Sequence, residues 1–170
     1  PVLHTEVFNQ LNINATYRKI EISKQKFFSQ LSQKYIKKLT GFNVTTPHKN
    51  LIMDKLDFLD PIAEKIGAVN CIFKRNNKLF GTNTDGEAAI HVFEKKFGSI
   101  KNKRCLILGY GGVGKAVTAF FNDKMKHKVL VSNRTNINKK TILKNKFNFI
   151  KWKDIPNFIS KTDIIVNCTS

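Results

Sequence analysis

The strongest constraint on this chain is an apolar run, Cys105-Leu-Ile-Leu108, that turns through Gly109-Tyr-Gly-Gly-Val-Gly114 into a second apolar run. Glycines at those three spacings have a physical use only where a strand ends, the chain reverses tightly and a helix begins. Gly109 permits the turn, Gly111 leaves room for something to approach the backbone, and Gly114 lets the helix pack closely on the strand. Beyond the turn the periodicity alternates. Helix is expected over 114–125, strand over 128–132, helix near 139–146, strand over 149–152, helix near 155–160 and strand over 163–168. Strands separated by helices predict a parallel sheet with right-handed crossovers.

A helix N-terminus behind a glycine turn presents free amides and the positive end of its dipole, which suits the phosphates of a dinucleotide. The same residues nearly spell the alternative G-x-x-x-x-G-K loop of nucleotide triphosphatases. That loop needs a hydroxyl next, to hold magnesium, and Ala116 has none. Gly109, Tyr110, Gly111, Gly112, Val113 and Gly114 are therefore candidate dinucleotide contacts. At the end of the next strand, in Val131-Ser-Asn-Arg-Thr135, no acid is present to take a ribose diol. Arg134 stands there, with Lys139 and Lys140 following, which favours the 2′-phosphate of NADP(H) over NAD.

The first half reads as a smaller α/β lobe. Helix is expected over 1–11, with proline in its first turn, and strand over 15–22. Ser23 is read as the cap of a helix carrying Phe27, Phe28, Leu31, Tyr35 and Ile36 on one face. Residues 40–46 are extended up to Pro47, 48–56 resume as helix, and Asp60-Pro61 opens a short helix. Residues 68–74 and 78–82 bracket Asn76-Asn77, which is hairpin chemistry. Thr84-Asp-Gly-Glu87 has the pattern of a capping box, ahead of a helix with Ala89, Val92, Phe93 and Phe97 on its apolar face. That helix bridges two lobes, so the expected domains are 1–85, a bridge over 86–100, and 101–170. The fold class is α/β and two-lobed, an N-terminal α/β substrate domain followed by a partial Rossmann-like domain with a parallel sheet.

Polar residues of the first lobe fit carbonyl reduction. Such chemistry needs a proton donor for the developing alkoxide and a group to orient it, and Lys49 and Asp85 can fill those roles. The dipole of the helix that Asp85 opens favours an anion there. Asn43 and Thr45 share one side of an extended segment and suit a hydroxylated ligand. Asn70, between Val69 and Cys71, must face a ligand or a turn, because an amide buried without partners is costly. Thr84 has sufficient work as a helix cap.

A formal charge of +18, from 30 Lys+Arg against 12 Asp+Glu, raises nucleic-acid binding. The lysines are dispersed as singles and short pairs, which points to composition, and no nucleic-acid partner is expected. Cys71, Cys105 and Cys168 lie far apart in apolar runs, with neither metal nor disulfide spacing, so no metal is expected. No membrane span or secretory signal is legible, and a cytoplasmic monomer or homodimer is expected. Both ends read as incomplete.

Taken together and in order, Gly41-Phe-Asn-Val-Thr-Thr-Pro-His-Lys49, Gly67-Ala-Val-Asn70, Asn83-Thr-Asp-Gly86, Gly109-Tyr-Gly-Gly112, Asn133-Arg-Thr135 and Asn167-Cys-Thr-Ser170 resemble the shikimate dehydrogenase family. The resemblance implies reversible reduction of 3-dehydroshikimate to shikimate with NADPH. It implies Lys49 and Asp85 as the catalytic pair, and Asn43, Thr45 and Asn70 with them as substrate contacts. It implies Asn133, Arg134 and Thr135 on the 2′-phosphate side, with Thr169 and Ser170 near the cofactor. Compared with the family's pattern, a serine-containing start and a C-terminal continuation are missing. A dual quinate/shikimate dehydrogenase and a truncated chain that binds without catalysis are the alternatives.

Overall fold

Two four-stranded sheets, one mixed and one wholly parallel, organise residues 39–170 in the computed structural model of this chain. The structure describes every residue except 32–35, 37, 127 and 170. Residues 1–38 form a separate unit. In it helix α1 spans Val2–Gln10 with Pro1 at its N-cap, and a short helix α2 spans Phe27–Gln30. Ser23 does not cap α2: its carbonyl starts a turn by accepting the Lys26 amide at 3.1 Å, and Lys26 is the N-cap. The expected strand over 15–22 joins no ladder among the described residues. Propensity makes a segment fit for a sheet, but a strand exists only where a neighbour completes its hydrogen bonds. Tyr35 lies outside the described residues.

The mixed sheet contains β1 (Gly41–Asn43), β2 (Phe58–Leu59), β3 (Cys71–Arg75) and β4 (Lys78–Thr82) in the order β1-β3-β4-β2. β3 and β4 form the expected hairpin, with Asn76 and Asn77 both at positive φ, 50° and 59°, as a tight two-residue turn demands. Residues 48–56 make only one 3₁₀ stretch, Leu51–Lys55. Sheet pairing explains the shortfall: Asp57 and Asp60 donate their amides to the Leu79 and Gly81 carbonyls, drawing the chain out of helix and into β2.

Asp60 also caps helix α3 (Pro61–Ile66), one oxygen accepting the Ala63 amide at 2.7 Å and the other the Thr82 hydroxyl. The carboxylate thus joins the helix to the sheet. Asp60→Ala is expected to cost about 1–2 kcal/mol of stability, read as a lower urea midpoint at unchanged slope. An unshifted midpoint would deny Asp60 this role.

Helix α4 (Asp85–Phe97) leads to the parallel sheet, built from β5 (Cys105–Leu108), helix α5 (Gly112–Lys124), β6 (Val129–Asn133), helix α6 (Lys139–Asn145), β7 (Asn148–Lys151), helix α7 (Pro156–Ile159) and β8 (Ile164–Asn167). Strand order is β7-β6-β5-β8, all parallel, as the alternation predicts. Ile107, Val117, Phe121, Val129 and Val131 form its core, each almost wholly removed from water. Complete burial of a side chain such as Phe121 contributes about 1.5–3 kcal/mol.

The packed face of α4 matches the expected one only in part: Ala89 and Phe93 lie against the core as expected. Gly86 and Ile90 are buried and Phe93 partly so, whereas Val92 and Phe97 are exposed. The stripe is set by a glycine, which hydrophobicity cannot flag. A Cβ at Gly86 would lie 2.6 Å from the Ala116 carbonyl oxygen, so only glycine lets the start of α4 approach α5 this closely. Among the described residues no helix is long and apolar enough to cross a membrane.

Candidate active site

Three backbone bonds bring the polar segments of the first sheet together. Val44 donates to the Asn70 carbonyl at 2.9 Å, Val69 to the Lys49 carbonyl at 2.8 Å, and Asn70 to the Thr82 carbonyl at 3.1 Å. The end of β1, the loop after α3 and the end of β4 therefore converge where α4 begins. Asn83, 2% exposed, strengthens the junction: its Nδ2 donates to the Ala68 carbonyl at 3.0 Å and its Oδ1 accepts the Asp85 amide at 3.1 Å.

On this frame Lys49 Nζ donates to Asp85 Oδ2 at 2.5 Å, with the lysine side chain 9% and the aspartate 22% exposed. Asn70 Nδ2 holds the second carboxylate oxygen, Oδ1, at 2.7 Å. Both oxygens of Asp85 are thus assigned, so its plane and the direction of the Lys49 ammonium are set together. Charge-assisted bonds of this kind are among the stronger polar contacts in proteins.

Thr84 is not the side-chain cap that the sequence suggests. It occupies the N-cap position without a capping bond. Its amide donates to Asn70 Oδ1 at 3.0 Å, and its hydroxyl accepts from Asn70 Nδ2 at 3.1 Å. The hydroxyl is drawn toward the Asn70 amide, and Asn83 takes the Asp85 amide instead. Sequence reasoning gave Asn83 no role, although a buried amide among polar neighbours was the available signal.

Asn43 closes β1, is exposed, and donates from Nδ2 to the Asn70 carbonyl at 3.3 Å. Thr45, also exposed, lies two residues on, and its carbonyl accepts the His48 amide. Asn43 therefore stands beside Asn70 at the junction that holds the Lys49–Asp85 pair, and Thr45 follows Val44, whose amide also bonds the Asn70 carbonyl.

The glycine turn reaches the same place from the other sheet. Gly109 has φ of 95°, and a Cβ there would sit 3.0 Å from the Cys168 carbonyl, so the end of β5 and the segment after β8 touch. β5 and β8 flank the point where strand order reverses, the usual ligand crevice of an open α/β sheet. A Cβ at Gly112 would fall 3.2 Å from Lys49 Cδ, which puts the lysine stem directly against the start of α5. Beside Gly111 the space is open.

Thr169 follows β8, its amide and hydroxyl both donating to Asn167 Oδ1, at 3.0 and 2.7 Å. Ser170 lies outside the described residues. Arg134 and Thr135 are exposed just past β6, while Tyr110 donates its amide to Asn133 Oδ1 at 3.0 Å. Val113 is exposed on the first turn of α5.

Electrostatics join the two sides. The Cys168 thiol is pushed up, by burial first and by the charge of Asp85 second, so the acid and the end of β8 share one neighbourhood. Burial, with a smaller contribution from Cys168, raises Cys105 to about 12, and burial raises Tyr110 to about 12. These groups stay neutral near pH 7.

A mixed sheet, one connecting helix and a parallel sheet with a glycine turn at its switch point define a two-part α/β protein of the dinucleotide-binding class. Residues 1–72 match the family model described as shikimate dehydrogenase substrate binding domain, and residues 91–170 the one described as shikimate / quinate 5-dehydrogenase. The chain belongs to the shikimate dehydrogenase family. It is 37% identical over 176 residues to shikimate dehydrogenase (NADP(+)) of Methanococcus maripaludis (strain C6), covering 99% of this chain and 62% of that protein. The crystal structure of shikimate dehydrogenase 1 from Peptoclostridium difficile superposes with a TM-score of 0.88 at 39% identity, over 99% of this chain and 62% of that one. Shikimate 5-dehydrogenase of Thermus thermophilus, solved in complex with NADP(H) and shikimate, gives a TM-score of 0.85 at 26% identity, over 99% and 62%. The chain thus spans less than two thirds of the length of these relatives.

Proposed function

We propose that this chain carries the substrate site and part of the cofactor site of a cytoplasmic NADP-dependent shikimate dehydrogenase, which reversibly reduces 3-dehydroshikimate to shikimate. The observation that carries this reading is the Lys49–Asp85 pair, closed at 2.5 Å with its lysine stem against Gly112 of the glycine turn. Residues 1–85 form the substrate-binding part, 86–100 the bridging helix and 101–170 the dinucleotide part.

The residues fit NADP(H). The Gly109–Gly114 turn offers open space beside Gly111 and an uncapped helix start for a pyrophosphate, with Tyr110, Gly112 and Val113 along it. Arg134 and Thr135 stand exposed just past β6, the strand end whose chemistry distinguishes NADP from NAD in this fold class, and Thr169 lies beside Gly109. When bound, the reduced cofactor supplies the hydride.

This chain's own residues manage the proton. Lys49 Nζ gives a proton to the oxygen of the reduced ketone and recovers one in the reverse direction. Asp85 holds the ammonium in place through Oδ2 and is itself held by Asn70 through Oδ1. Asn43 and Thr45, with Asn70, contact the ring hydroxyls.

The test is shikimate-dependent reduction of NADP by this chain, with quinate run alongside and shikimate affinity measured by calorimetry. Reduction with shikimate but not quinate is expected. Equal rates would favour the quinate/shikimate reading, binding without turnover a non-catalytic chain, and neither binding nor turnover would overturn the proposal.

Arg134→Ala is expected to weaken NADPH roughly 10–100-fold and to leave NADH within a few-fold, because a charged hydrogen bond to phosphate contributes about 1.5–3 kcal/mol. Titration with each cofactor decides it. Equal losses would remove Arg134 from 2′-phosphate recognition.

A further inference from the structure

Asn133 ends β6 between the two segments assigned to the dinucleotide, and the resemblance to the family places it against the 2′-phosphate. Its hydrogen bonds point elsewhere. Oδ1 accepts the Tyr110 amide at 3.0 Å, across 23 residues of sequence. Nδ2 donates to the Thr135 carbonyl at 3.0 Å and to the Thr135 hydroxyl at 2.8 Å. A carboxamide has two N–H hydrogens, and both are committed here. What remains is an oxygen lone pair, which repels an anion. In this arrangement Asn133 has nothing to offer a phosphate.

Its geometry instead makes one body of two loops. The Tyr110 amide is held by Asn133, and the Tyr110 ring packs 4.9 Å from the ring of Phe147, so position 110 is anchored through both backbone and side chain. Gly109 next to it donates its amide to the Ser132 carbonyl at 2.8 Å, which fastens the turn to the same strand end. We infer that Asn133 is a positioning residue: it ties the glycine turn to the 133–135 segment and thereby sets affinity for the dinucleotide as a whole, with or without a 2′-phosphate. The inference rests on reading the chain as a binder of NADP. Ligand affinity gained by holding a site in its bound shape is lost when the brace goes, whatever the ligand's distal group.

The experiment is titration of the unaltered chain, Asn133→Ala, Asn133→Ser and Arg134→Ala with NADPH and with NADH, accompanied by shikimate affinity and thermal midpoint. Asn133→Ala should weaken both cofactors by the same factor, roughly tenfold, the size expected from one lost part-buried hydrogen bond. Shikimate affinity should not move, which separates bracing of the glycine turn from general loss of structure. Arg134→Ala should weaken NADPH alone. Where the alanine variant does not fold, Asn133→Ser, whose hydroxyl is too short to reach both partners, should show the same paired loss. Loss of NADPH alone on altering Asn133 would make it a direct phosphate ligand and overturn the inference, as would no loss of either cofactor. Failure of the unaltered chain to bind either one overturns the functional reading, and this inference with it.

Discussion

Lys49→Ala is expected to lower kcat by about 10²–10⁴-fold, the usual contribution of a positioned proton donor, while shikimate affinity stays within a few-fold. The asymmetry follows from the site. Asn43, Thr45 and Asn70 lie on backbone frames that do not depend on the lysine side chain, so the hydroxyl contacts proposed for them should survive. Asp85 keeps its bond from Asn70 and, at 22% exposed, recovers water in place of the ammonium. Lys49→Arg sharpens the test. A guanidinium can preserve the ion pair but gives up its proton only far above neutral pH, so Arg should restore charge and stability without restoring rate. An alanine variant with unchanged kcat would remove Lys49 from the mechanism, and a fast arginine variant would reduce its role to charge.

Gly114→Val is expected to remove dinucleotide binding and to lower stability by about 1–3 kcal/mol, the range for overpacking a close-packed interior. A Cβ at position 114 would run into the Gly109 carbonyl oxygen and sit 3.5 Å from Cys168 Cβ. That oxygen is backbone, at a residue whose φ of 95° leaves it little freedom to give way. The helix must instead lift from the turn, which moves the amides that would face the phosphates. Gly112→Ala makes a useful contrast. The nearest atoms its Cβ would meet all belong to the Lys49 stem, a flexible chain that can yield. Urea midpoints and NADPH titration on both variants check this, and equal effects at the two positions would contradict it.

Much of the molecule was legible in the residues alone. The parallel sheet, the hairpin at Asn76-Asn77 and the glycine turn all rest on short-range rules, in which spacing and turn residues act within a few positions. Expectation and structure part where distant segments intervene. Residues 48–56 carry a helical pattern, but pairing of Asp57 and Asp60 with β4 leaves a single 3₁₀ stretch. The buried stripe of α4 keeps Ala89 and Phe93 but turns toward Gly86, which carries no hydrophobic signal and leaves no room for a Cβ beside the Ala116 carbonyl. Thr84 had the right letter for a cap, yet the Asn70 carboxamide claims its amide and hydroxyl. In each case a contact from elsewhere in the chain outweighed a local preference of about 1 kcal/mol or less.

By itself the sequence determined the α/β class, the parallel order of elements and the tight turn at Gly109, because hydrophobic period and turn chemistry are written locally. Composition could not choose among 30 basic residues, and although the ordered motifs single out Lys49 and Asp85, only the tertiary structure brings the two into contact. Lys49 and Asp85 lie 36 positions apart, and they join at 2.5 Å because backbone bonds from Val44, Val69 and Asn70 bring three loops to one point, a long-range arrangement no local pattern encodes.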